Sequence, residues 1–254
     1  MISKIFFGLT NNIVVNNILI RLGLDGMFTS KFGIYKRVVL DETLTPREMA
    51  GFTANPEIQK ALDTIHSKLG QIVQNHLKKG DSVLDIGCGP GTYLKDFEKD
   101  YKITGIDLNL QMINKARENL KGVELIHHDF LTHKFTRKYN FIYSISVLEF
   151  IPPGQLRTFF RKAHTVLEDD GVIFFLYPHA LRLKDVMYPD LYYIEYSPRR
   201  IESAIRNLFE TISHKHAFDE RQVDLYDKHP YNPGERIFTN GYILVDRKKA
   251  SPKV

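Results

Sequence analysis

The stretch Val83-Leu84-Asp85-Ile86-Gly87-Cys88-Gly89-Pro90-Gly91 decides how the rest of the chain is read. An apolar run, Val83, Leu84 and Ile86, breaks off into three alternating glycines, and Thr92 to Glu98 then reads as helix. The pattern predicts a strand, a tight turn and a helix start. Glycine is needed where the backbone takes positive φ or must approach a ligand without a Cβ in the way, and a helix N-terminus adds free N–H groups. Gly87, Gly89 and Gly91 are therefore candidate ligand-binding residues. The competing reading is a turn that only joins a strand to a helix.

A dinucleotide-binding turn is usually spaced Gly-x-Gly-x-x-Gly, with a pyrophosphate against the helix N-terminus. Here the spacing is Gly-x-Gly-x-Gly, and Asp85 stands two residues before the first glycine, placed to face the ligand. A negative charge at that point repels a pyrophosphate and suits a ligand carrying an ammonium and a sulfonium.

Working outward, strands are expected at Val83 to Ile86, Ile103 to Asp107, Val123 to Ile126, Phe141 to Ser146 and Val172 to Tyr177. Between them, helices are expected near Thr92 to Glu98, Gln111 to Leu120 and Gln155 to Leu167. A further helix reads from Arg199 to Phe209, and two closing strands fall near Thr211 to Ala217 and Arg236 to Asp246. Ahead of the first strand, Ile58, Leu62, Ile65, Leu69, Ile72 and Val73 follow Pro56 at helical spacing, predicting a helix that ends near Gly80. Alternating β and α elements require a mainly parallel sheet with helices on both faces, and ligands bind at the carboxyl ends of its strands. Asp107 closes the second strand, 20 residues after Gly87. A carboxylate there can accept both ribose hydroxyls of an adenosine. A helix-capping role is the alternative, although Asn109 is equally able to cap.

The stretch Leu-Asp-Ile-Gly-Cys-Gly-Pro-Gly, residues 84–91, strongly resembles motif I of the class I methyltransferases that use S-adenosylmethionine. The resemblance covers about residues 56 to 178. It implies an α/β, Rossmann-like, seven-stranded and mostly parallel sheet with helices on both faces and an antiparallel C-terminal hairpin. It also implies S-adenosylmethionine as cofactor, with Leu108 and Met112 flanking the adenine and Asp129 and Phe130, after the third strand, at the adenine amino group and ring. The fourth strand leads into Ser146-Val-Leu-Glu-Phe-Ile-Pro-Pro, which resembles the place where donor methyl and acceptor meet and makes Ser146, Glu149 and Phe150 candidates. The family's pattern carries histidine where this chain has Phe150, so a base carried over to that position has no counterpart. No Asn-Pro-Pro-Tyr or Asp-Pro-Pro-Tyr follows this strand, which counts against methylation of nucleobase exocyclic amines.

By the same resemblance, residues 1–55 form an N-terminal extension or lid that helps build the substrate pocket, and residues 56–248 form the methyltransferase domain. Tyr35 and Phe52 in the extension, and Tyr192 and Tyr193 in the tyrosine-rich segment up to Pro198, are candidate acceptor-pocket residues. Each also reads as ordinary packing. His179 follows the fifth strand and is the candidate general base if the reaction uses one; a surface histidine with no role is the alternative. His127 and His128 point oppositely at a strand end without a further ligand at metal-site spacing, so no metal is expected.

The whole chain bounds these readings. At 254 residues, 43% of them hydrophobic, it can bury one large core. A net charge of +5 without long single-sign blocks argues for a solvated surface rather than a nucleic-acid groove. The single cysteine, Cys88, allows no intrachain disulfide or cysteine-based zinc site, in keeping with a reducing cytoplasm. Ile2 to Phe28 is apolar but broken by Asn11, Asn12, Asn16, Asn17 and Arg21, so neither a membrane span nor a signal peptide is expected. The reading is a transferase moving a methyl group to oxygen or nitrogen of a small-molecule acceptor. Its alternatives are a methyltransferase acting on RNA or protein, a non-catalytic cofactor-binding protein of the same fold, and a nicotinamide-dependent oxidoreductase, the last disfavoured by the glycine spacing and Asp85.

Overall fold

A computed structural model describes residues 56–95, 97–151, 154–178, 196, 198–216, 228–229, 232–233 and 241–248. The expectations placed on residues 1–55 lie outside this set. Helix α1 (Pro56–His76) begins with proline at its first position, where the missing N–H removes no helical bond. Strand β1 (Ser82–Ile86) is followed by β2 (Lys102–Asp107), α2 (Leu110–Asn119), β3 (Glu124–His127) and β4 (Tyr139–Ile145). A single 3-10 turn (Leu148–Phe150) leads to α3 (Leu156–Val166), β5 (Leu167–Pro178), α4 (Pro198–Ile205), β6 (Phe209–His216) and β7 (Gly241–Lys248). Lys228–His229 and Asn232–Pro233 form a separate two-residue ribbon.

The seven strands form one sheet in the order β3-β2-β1-β4-β5-β7-β6. β1 to β5 are parallel, and β7 runs antiparallel to both β5 and β6. This is the expected mostly parallel sheet with an antiparallel closing pair. Alternation along the strands sends Leu84, Ile142, Ile173, Phe175 and Leu244 to a layer covered by α3 and α4, with Phe159, Phe160, Ile201 and Ile205 packed against them. Val83, Phe141, Tyr143, Phe174 and Val245 face the other layer, covered by Ile65, Leu69 and Val73 of α1 and Ile113 and Ala116 of α2. Both faces are buried, as a parallel sheet requires.

The structure corrects several element boundaries. The segment after the glycine turn is a run of turns, not the expected helix over Thr92 to Glu98. Leu94 N–H bonds to Gly91 C=O and Phe97 N–H to Leu94 C=O, both three residues back. Leu94 is buried and Phe97 packs partly buried against the same layer, and the bonds reaching three residues back close tight turns in place of α-helical ones. α1 ends at His76 instead of near Gly80. α4 stops at Ile205 rather than Phe209, because Asn207 adopts φ +71°, a left-handed angle that ends a helix, and Phe209 already belongs to β6. β5 starts five residues early, its register with β4 slipping between the Tyr139–Leu167 and Phe141–Val172 pairs.

Candidate functional site

The strand order reverses between β1 and β4, and a parallel sheet opens a crevice at that point, outside the strands' carboxyl ends. The glycine turn lies on one side of it and Ser146 and Val147 on the other. Gly87 and Cys88 both donate their N–H to Ile106 C=O, which ties the turn to the end of β2. Gly87 has φ +73°, and a Cβ there would stand 2.2 Å from Val147 Cγ2, so the two walls touch only because position 87 has no side chain. Gly89, at φ +52°, differs in kind: a Cβ built on it would meet nothing within 4 Å. Its glycine is demanded by backbone angle, and the space in front of it is open. Gly91 is closed off by Leu120 of the α2 C-terminus.

Asp107 braces this turn. Its Oδ2 accepts the Gly89 N–H at 2.8 Å and its Oδ1 accepts the Asn109 N–H at 2.8 Å. Asn109 caps α2 through its side chain, which accepts from Gln111 and Met112 N–H, so Asp107 is left out of the capping. Burial pushes the Asp107 carboxyl above the usual range, partly offset by the Asn109 and Gly89 N–H groups. Leu108 and Met112, both half-buried, flank it at the end of β2 and in the first turn of α2.

Asp85 is 2% exposed, on the sheet face it shares with Val83, and register places it opposite Tyr143 of β4. Burial raises its pKa to about 8; the nearby Tyr143 phenol lowers it and Asp107 raises it. The phenol stands close enough for this effect but makes no hydrogen bond of ordinary geometry. Burial, Asp85 and Asp107 push the Cys88 thiol far up, which leaves it un-ionised and inert.

At the end of β3, His128 N–H bonds to Asp107 C=O and brings Asp129 beside the second strand. Asp129 Oδ1 accepts the Leu131 N–H at 2.9 Å in an Asx turn. The Phe130 ring points into the core, with ring centroids 5.1 Å from Phe159 and 5.8 Å from Phe135. Among the described residues no three potential metal ligands cluster.

After β4, Ser146 takes φ +55°, unusual for a residue with a side chain, while its N–H bonds to Leu176 C=O. Phe150 is half-buried in the 3-10 turn that follows. The structure therefore gathers Asp85, Gly87, Gly89, Asp107, Asp129 and Ser146 at one end of the sheet. Tyr35, Tyr192, Tyr193 and His179 lie outside the described residues, as does the side chain of Glu149. Two participants were not singled out from sequence. Val147 closes against Gly87, and Tyr143 faces Asp85; both follow from the β1–β4 register, which no local pattern encodes. Tyr196, near the end of the tyrosine-rich segment, is a core residue, 2% exposed, whose hydroxyl donates to Ile151 C=O.

This strand order, with a glycine turn at the switch point and carboxylates at successive strand ends, is a class I methyltransferase fold. Comparison with known proteins agrees with this fold: residues 83–171 match the family described as methyltransferase domain. A sphingolipid C9-methyltransferase of Gibberella zeae is 29% identical over 136 residues, 49% of this chain and 26% of that protein. A dTDP-3-amino-3,4,6-trideoxy-alpha-D-glucopyranose N,N-dimethyltransferase of Streptomyces venezuelae is 30% identical over 93 residues, 36% of this chain and 38% of that enzyme. The chain thus spans less than half the length of either relative. Among solved structures, the magnesium protoporphyrin IX methyltransferase of Synechocystis superposes with a TM-score of 0.61 at 12% identity, covering 85% of this chain and 97% of that one. The N-methyltransferase NodS of Bradyrhizobium japonicum gives 0.58 at 14% identity, covering 78% and 89%. Among the described residues, no helix is long and apolar enough to cross a membrane.

Proposed function

We propose that the chain binds S-adenosylmethionine in the glycine turn and transfers its methyl group to an oxygen or nitrogen of a small-molecule acceptor. The observation that carries this is the open space before Gly89, bordered by a carboxylate already held in place by Gly89 and Asn109 N–H. That cradle fits a nucleoside whose ribose hydroxyls donate to the remaining lone pairs of Asp107, with Leu108 and Met112 against the adenine and Asp129 at its amino group. Ser146 and Gly87 form the two walls of the crevice where the donor's amino-acid end would lie. The relatives named above act on a sphingolipid and a sugar amine, by their names, which supports a small acceptor without choosing its chemistry.

The cofactor supplies a methyl group made electrophilic by its sulfonium. The protein's task is to align a nucleophile in line with the methyl–sulfur bond and to keep water out. Residues 1–55, with Tyr35, and the segment holding Tyr192 and Tyr193 are assigned to the acceptor pocket, as are Glu149 and Phe150. His179, after β5, is the candidate base for a hydroxyl acceptor, whereas an amine needs only to arrive unprotonated.

The test is equilibrium binding of S-adenosylmethionine and NAD to the full chain, followed by transfer of labelled methyl to fractionated small-molecule, RNA and protein pools. Tight binding of the first ligand and label in the small-molecule pool is the expected result. Label confined to RNA or protein would reject the acceptor class, and preference for NAD would reject the whole reading.

A further inference from the structure

Asp85 sits beneath the glycine turn in a setting made of acids. Across the β1–β4 register it faces Tyr143, which is fully buried and whose hydroxyl makes no hydrogen bond of ordinary geometry among the described residues. Asp107 reaches it from β2, and Tyr93 and Cys88 from the turn. From α1, the His66 ring packs on Tyr93 at 4.7 Å between centroids, one residue removed from Asp85. Among the described residues, no lysine, arginine or histidine acts on Asp85 directly. A buried carboxylate with only acids around it is costly, so the free chain keeps Asp85 protonated, with a pKa raised to about 8 by burial.

We infer that Asp85 and Tyr143 form a proton-linked pair: a cationic ligand entering the turn releases the Asp85 proton to solvent, and Tyr143 donates its O–H to the carboxylate left behind. This rests on the proposed binding of S-adenosylmethionine, whose ammonium and sulfonium supply the positive charge. The carboxyl O–H bond breaks, its electron pair stays on oxygen, and the proton leaves through the buffer. Tyr143 is a positioning residue here, acting on ligand only through Asp85. The phenol that lies near Asp85 without a well-formed hydrogen bond is thereby explained as a donor whose bond tightens once the carboxylate is ionised in the bound state.

The sign follows from linkage. The bound form carries the ionised carboxylate, so affinity weakens about tenfold for each pH unit below about 8, where the free chain must give up a proton. Titration calorimetry of the full chain with S-adenosylmethionine at about pH 6.5, in buffers of small and large ionisation heat, counts that proton. At this pH the ligand's α-amino group is already protonated and contributes none. Close to one proton released by the natural sequence and close to none by Asp85→Asn is the expected outcome. Tyr143→Phe should weaken affinity at about pH 6.5 while close to one proton is still released, because the carboxylate loses its donor. Affinity that is flat between about pH 6 and 8 in the natural sequence overturns the pairing and needs no variant to fold. An equal proton count in Asp85→Asn does the same. Failure to bind at any pH instead removes the proposed function, and the pair with it.

Discussion

The Gly89 N–H donates to Asp107 Oδ2 over 2.8 Å, so the turn that follows β1 is held in shape by the last residue of β2. The two features read separately from sequence, a glycine loop and a strand-end carboxylate 20 residues on, are parts of one hydrogen-bonded unit. A variant at one is therefore expected to be felt at the other.

Asp107→Ala should weaken S-adenosylmethionine binding by roughly 1.5 to 3 kcal/mol, since ribose hydroxyls lose a charged acceptor. It also frees the Gly89 and Asn109 N–H groups, so the melting temperature should drop as well. Calorimetry and thermal melting on one preparation check both. Unchanged affinity would remove Asp107 from the site.

Two glycines of the turn should respond in opposite ways. Gly87→Ala places a Cβ 2.2 Å from Val147 Cγ2 at a backbone angle of +73°, and about 2 to 5 kcal/mol of stability should be lost. Adding Val147→Ala should recover part of that loss. Gly89→Ala meets no protein atom, so only the cost of its backbone angle, about 1 kcal/mol, falls on the fold. Its main effect should be on cofactor affinity. Denaturant unfolding and ligand titration of the three variants separate the two behaviours; equal stability losses for Gly87→Ala and Gly89→Ala would contradict the open cradle.

Asp246 of β7 is buried on the α3 and α4 face, and burial raises its pKa to about 7, with Thr211 opposing. A folded-state pKa above the unfolded value means that the native chain holds a proton the unfolded chain gives up. Stability from this group is therefore full at acid pH and is lost as pH rises from about 4 to about 7. Asp246→Asn should stabilise the protein by roughly 2 to 4 kcal/mol at pH 8 and much less at pH 4. Melting curves of both proteins across that range decide it, and a gain independent of pH would refute the assignment.

Tyr196→Phe should cost about 1 to 2 kcal/mol, because it strips the buried Ile151 carbonyl of its donor. Cofactor affinity should stay within about threefold. Replacing Tyr192 and Tyr193 by alanine should also spare cofactor affinity but, unlike Tyr196→Phe, should impair turnover. Should both substitutions lower only the melting temperature, the tyrosine segment would be packing throughout.

The sequence by itself determined the α/β alternation, the glycine turn and the strand-end carboxylates, because each is a local pattern: an apolar run, an absence of Cβ, an acidic residue at a strand's close. It also named Asn109 as a competent cap, and Asn109 does cap α2. Tertiary structure alone decided what pairing across the sheet decides. Asp85 faces Tyr143, and Gly87 faces Val147, because β1 lies beside β4 in one register although 58 residues separate Asp85 from Tyr143. Tyr196 turned inward because its hydroxyl finds a carbonyl 45 residues away. The run after Gly91 is likewise decided by tertiary packing: Leu94 and Phe97 face the layer beneath while the backbone closes tight turns, a choice that a spacing of three, equally suited to a helix, leaves open.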